Sequence, residues 1–192
     1  MPAPRAPALS FLPLEEAAKV AGHARWLETR LFEVLGSWVA IESDAAAKVL
    51  WSTLSLRHAG HAAGWHDRQP RVAHLDPDTL TVSAGSGATA LIAALSAMAE
   101  PTRTVPRLAA VARVVQPRLL AAYRARNERA HPLADGPTLR WMTVLLSDGA
   151  AATEESQALL DRRLRTTADA ARACESAMVT LPGRPGELIG LT

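Results

Sequence analysis

The sequence predicts an all-α fold, an antiparallel four-helix bundle with an additional short or broken helix. Three observations carry this. Alanine and leucine dominate while aromatics are only 4% of the chain. β-branched residues are scattered without sustained alternation, the pattern a strand requires. Four long stretches repeat apolar residues at helical spacing, separated by proline, glycine and aspartate. At 192 residues the chain is long enough for one domain with a substantial core.

An irregular arm is expected over residues 1–13, where prolines stand at 2, 4, 7 and 13. The bundle then occupies 14–176. A first helix spans about Leu14 to Val39, with Val20, Ala24, Leu27, Leu31, Leu35 and Trp38 as its stripe; Gly36 and Ser37 weaken its end. Ser43 or Asp44 can cap a second helix over Ala45–Asp67, and Gln69-Pro70 stops it. A weaker third helix covers Asp78–Ala99, interrupted at Gly85-Ser86-Gly87. That glycine pair lacks the Gly-Lys-Ser/Thr ending of a phosphate loop and reads as a helix break. A fourth helix runs from Arg103 to Ala130 through Leu108, Val111, Ala112, Val115, Leu119 and Ala122. Pro117 should kink it, since an interior proline removes one backbone donor and clashes with the preceding turn. The fifth helix is expected over Pro137–Ser176. Prolines and glycines then suggest an irregular tail over 177–192.

Charge is nearly balanced, with 21 basic and 19 acidic residues. No basic tract carries interleaved aromatics, so nucleic acid is not an expected partner. No apolar run approaches the ~18 residues of a membrane span. Cys174 is the single cysteine, so no internal disulfide forms, which fits a reducing cytoplasm. The N-terminus lacks the charged-then-apolar plan of a signal peptide. Cys174 has no histidine beside it, and no motif ties a serine, a histidine and an aspartate together as a nucleophile.

The candidate chemistry lies in the second helix. Leu50, Leu54, His58, His61 and Trp65 fall within an arc of roughly 80°. The line that should face the core thus carries two imidazoles one turn apart. Buried polar rings cost free energy unless a metal, a carboxylate pair or a bound ligand satisfies them. Neutral imidazole suits zinc, iron, copper or nickel. The spacing is not that of the zinc proteases, whose histidines lie four apart with a glutamate between. Ala59 and Gly60, between the rings, would let a helix or ligand approach closely.

Glu28 stands at the edge of the first helix's stripe. It can complete a metal shell or accept a proton from His58 or His61; alternatively it pairs at the surface with Arg25 or Arg30. On the fifth helix Asp148 and Glu155 share a face, and one of them can reach beneath the histidines. Arg57 or Arg140 can hold an inward acid. His66 and His74 read as surface groups, with His66 a candidate for the rim of a pocket, and His131 as part of a turn.

Glu28-Thr29-Arg30-Leu31-Phe32-Glu33-Val34-Leu35-Gly36-Ser37-Trp38, the run Arg57–Pro70 around His58 and His61, and Gly136–Arg140 continuing to Asp148 resemble small bacterial ferritin-like domains. The resemblance implies a four-helix bundle and dioxygen chemistry at a dinuclear iron or manganese centre. That centre takes a glutamate from each of two helices and Glu-x-x-His from two others. Carried over, Glu28 fits the first position and His61 a histidine, but His58 stands where a glutamate belongs. The fourth helix has no carboxylate between Glu100 and Glu128, and Ala151 follows Asp148 where a histidine would stand. A mononuclear site from Glu28, His58, His61 and Asp148 is therefore expected, with iron or another divalent transition metal and no organic cofactor. Oxidation of a small organic substrate is the implied reaction class. A metal-free bundle acting as a dimerisation or partner-binding module is the alternative, homodimer included; metal storage or sensing is a third reading, disfavoured by the scarcity of acids.

Overall fold

The computed structural model describes residues 11–165 and 181–191. Among them all regular structure is helical. Helix α1 spans Leu14–Ile41, with Glu15 and Glu16 in its first turn where the helix dipole favours acids. Gly36 and Ser37 do not end it. The Ser37 hydroxyl donates to the Val34 carbonyl, and Gly36 lets Ser55 of the next helix approach. Helix α2 spans Ala45–Arg68 and is capped by Asp44, whose carboxylate accepts from the amides of Ala46 and Ala47.

The predicted third helix divides into α3 (Pro77–Leu80) and α4 (Ser86–Ser96). The break is wider than the glycine pair alone, because Asp76 caps a separate single turn ahead of it. Leu80 is then pressed against Gly22 of α1, where a Cβ would lie 2.1 Å from the Leu80 carbonyl oxygen.

The predicted fourth helix runs as α5 (Thr104–Ala110), a wide π-type turn over Val111–Val115, and α6 (Gln116–Glu128). The expected kink at Pro117 is replaced by this turn. The Gln116 amide reaches back five residues to the Val111 carbonyl. Pro117 thereby falls in the first turn of α6, where its missing N–H costs little.

Helix α7 spans Gly136–Leu164; its expected continuation to Ser176 lies outside the described residues. The expected irregular tail contains a further helix, α8 (Pro185–Ile189). Pro185 starts it, Glu187 caps the Arg184 amide, and Gly190 ends it at φ 74°. Leu181, Leu188, Ile189 and Leu191 are buried, with α8 against α1, α4 and α6.

Side-chain pairs fix the direction of each helix. Glu28 with His58 and Trp38 with Trp51 make α1 and α2 antiparallel. Asp148 with His61 and Glu155 with Arg57 make α7 antiparallel to α2. Gln116 with His58 and Tyr123 with Trp65 make α6 run parallel to α2. The connection from Gln69 to Arg103 must therefore traverse the bundle. Short loops throughout would have alternated the helices; one long crossover does not.

Candidate metal centre

Three helices converge on Glu28 midway along the bundle. Its side chain is fully buried, as the apolar residues around it on α1 require. Oε1 accepts a short hydrogen bond from the Tyr123 hydroxyl of α6. Oε2 lies 2.5 Å from His58 Nδ1 and 3.6 Å from His61 Nδ1. Glu28, His58 and His61 each offer a ligand atom, and these atoms lie within 4.8 Å of one another. A small rearrangement would bring all three onto one cation, since the His58–Glu28 contact is now a direct hydrogen bond.

Asp148 does not join this group. Its Oδ2 lies 3.0 Å from the far nitrogen of His61, Nε2. The other nitrogen, Nδ1, is buried 3.6 Å from Glu28 without a hydrogen-bond partner; with the Nε2 proton held by Asp148, loss of the Nδ1 proton would leave a lone pair there for a metal. This is the outer carboxylate arrangement that orients metal-binding histidines. Gln116 acts in the opposite sense on the other ring: its amide Nε2, 3.4 Å from His58 Nε2, can only donate, which keeps the His58 proton on Nδ1 toward Glu28. The π-type turn, at which Gln116 begins α6, sets the register that brings it there.

Burial alone would raise the Glu28 carboxyl. The charge of His58 and then of His61 outweighs burial and holds it well below the ordinary carboxylate range. Burial likewise pulls His61 down, but Glu28 and Asp148 carry it up to about 9. Tyr123 is pushed well above its usual value, by burial first and Glu28 next, so it stays a neutral donor.

The open side of the group faces a cavity of about 10 Å³ walled by Leu54, Leu119, Leu120 and Leu145, with Asp148 and Arg57 at its polar edge. That is room for about one water. On the other side Trp141 stands edge-on to His61, with ring centres 6.0 Å apart. Gly64 makes this possible, because a Cβ there would lie 2.1 Å from the Trp141 ring. Gly60, the glycine between the histidines, instead faces open space.

Of the other candidates, Glu155 is tied to Arg57 in a two-point ion pair at 2.9 and 3.0 Å, outside the buried group. Arg140 is exposed and His66 lies half-buried near the end of α2, neither of them in the group. Tyr123 and Gln116 were not singled out in the sequence. The signal was there: they lie seven apart beside the α6 stripe, and Tyr123 is the only tyrosine of the chain.

A second buried acid, Glu42, stands just past the end of α1, about four turns beyond Glu28. It accepts from the Asp44 amide, Thr104, Trp51 and Arg107 at 2.8–3.1 Å. Arg107, also fully buried, stacks over Trp38. With four donors on two oxygens, Glu42 has no capacity left for a ligand and ties α5 to the α1–α2 corner. Glu28 lacks this saturation.

No family model, curated protein or solved structure matches the chain. A buried glutamate and two histidines able to hold a metal ion, within an all-helical protein, define what the site is; its chemistry has to be argued from its atoms.

Proposed function

We propose that Glu28, His58 and His61 hold a single divalent transition metal, iron first among candidates, and that the protein is a ferritin-like, non-haem metal oxidoreductase. The observation that carries this is His61: a buried ring fixed by Asp148 at one nitrogen, with the other unpartnered and turned toward a carboxylate. Two imidazoles and one carboxylate with open positions are the donor set of mononuclear non-haem iron sites. One long crossover in a four-helix bundle is the connectivity that ferritin-like folds share. Among the described residues no second acid joins Glu28 in the group, which favours one metal over two.

A bound metal of this kind supplies oxidative chemistry through its open positions. The chain's own contribution is to bind and to exclude. Glu28 neutralises charge, Tyr123 and Asp148 fix the ligands, and the four leucines keep bulk water away. The cavity admits one water-sized ligand. A small organic substrate would therefore need the side chains between α2 and α7 to shift.

A metal-free reading draws on a different observation. Each Glu28 oxygen already accepts a hydrogen bond, from Tyr123 and from His58. In that case the group is a polar clamp, and the bundle acts through dimerisation or a partner. Metal content by mass spectrometry decides between them, on protein purified without chelator or histidine tag. About one iron per chain, lost in the His58→Ala/His61→Ala variant, is expected. Less than about 0.1 metal per chain, unchanged in that variant, overturns the metal centre.

A further inference from the structure

The end of the bundle beyond Trp65 contains a cavity of about 370 Å³ between the start of α1, the ends of α2 and α6, and the start of α7. It is separate from the cavity beside His58 and His61. One wall is apolar, built from Ala17, Ala18, Ala21 and Trp65. Arg126 lines it from α6 and is only 2% exposed.

A buried guanidinium requires a counter-charge and filled hydrogen bonds. Arg126 has neither in full. Its ion-pair contact is Nη2 to Asp135 Oδ1 at 3.7 Å, too long for a hydrogen bond. The other Asp135 oxygen is engaged by the His131 amide at 2.7 Å. Nε and Nη1 of Arg126 are buried with no partner. Arg107, the other fully buried arginine among the described residues, also has Nε and Nη1 without partners, but it has a 2.8 Å carboxylate partner and an indole face, so it is the counter-charge that Arg126 lacks.

The volume is that of a small-molecule site. Arg68 adds a second guanidinium to the lining, while Asp67 and Asp135 add two carboxylates. Four such groups sum to no net charge, which disfavours a phosphate dianion. One carboxylate, matched to a planar guanidinium, suits Arg126. The alanine wall and Trp65 suit an apolar body.

We infer that this cavity binds a small apolar monocarboxylic acid, its carboxylate on Arg126 and its body against Ala17, Ala18, Ala21 and Trp65. The inference does not depend on the metal centre. Calorimetric titration of the full chain with hexanoate and benzoate tests it, with hexylammonium and inorganic phosphate alongside. One saturable site per chain is expected for the carboxylates and none for the other two. Arg126→Gln should weaken binding by at least about thirtyfold, the loss expected when one partner of a buried charge pair is removed. Arg126→Lys should weaken it less. Ala17→Phe, at a half-buried wall position, should abolish binding while leaving the arginine in place, and it stands in should Arg126→Gln fail to fold. No saturable carboxylate binding, binding that survives both substitutions, or hexylammonium or phosphate binding equally well would each overturn the inference.

Discussion

Two glutamates, one within α1 and one just past its end, show how differently a buried carboxylate can be used. Glu42 is saturated by donors, and Glu28 is not. Burial pushes the Glu42 carboxyl up, but the Asp44 amide, Thr104, Trp51 and Arg107 together hold it below its ordinary value. A depressed carboxylate stabilises the fold above its unfolded pKa, near 4.5, and loses that contribution as pH falls. Glu42→Gln leaves Arg107 buried without its charge partner and should cost about 3–5 kcal/mol near neutral pH. Urea denaturation should show the gap between wild type and variant narrowing as pH falls below the unfolded value of 4.5; a constant gap would mean that Glu42 is not ionised in the fold. At the other glutamate the test falls on its neighbour. Asp148→Asn removes the carboxylate that orients His61 and should lower metal affinity by about 10–100-fold with the fold intact, as read by competition with a chelating dye.

At the scale of elements, the contact between α2 and α7 depends on one glycine of the two in the His58–Trp65 stretch. The small residues between the histidines suggested close approach there, yet Gly60 points into open space and it is Gly64 that admits Trp141. Periodicity places a residue on a face but does not say which neighbour stands opposite. Gly64→Ala would push a methyl group into the indole and should destabilise by about 1–3 kcal/mol. Gly60→Ala meets nothing and removes backbone freedom from the unfolded chain, so it should stabilise by about 0.5–1 kcal/mol. The pair, measured by thermal or urea unfolding, distinguishes packing at one position from helix propensity at the other. The turn ahead of Pro117 teaches a related point. Proline forbids one backbone hydrogen bond, and the chain can meet that demand by widening the turn before it instead of bending at it. The choice is made by what α6 must present to the core, here Gln116 and Tyr123.

For the whole molecule, the long amphipathic helices and the core-facing histidines were legible because a 3.6-residue period over several turns is a strong local signal. Glu28 and Asp148 were legible as inward acids, although only the fold separates the one that touches both rings from the one that braces His61 from behind. The parallel course of α2 and α6 was not legible, because it depends on how the segment from Gln69 to Arg103 crosses the bundle. Nor was α8, whose five residues are too few to show a period. Its place is tertiary: Leu188 and Ile189 are buried against helices far away in sequence, and Arg118 holds the strand of chain before it by the carbonyls of Leu181 and Pro182. A few well-buried side chains suffice to hold it there. Ile189→Ala should therefore cost about 2–5 kcal/mol, as for any core truncation. Cutting the chain after residue 180 would remove the buried Leu181, Leu188, Ile189 and Leu191 together and uncover the apolar surface of α1, α4 and α6 beneath them. That shortened chain should unfold at lower urea concentration than Ile189→Ala and bind a hydrophobic dye in its folded state. Equal stability of the full and shortened chains would show that α8 rests on the bundle without supporting it.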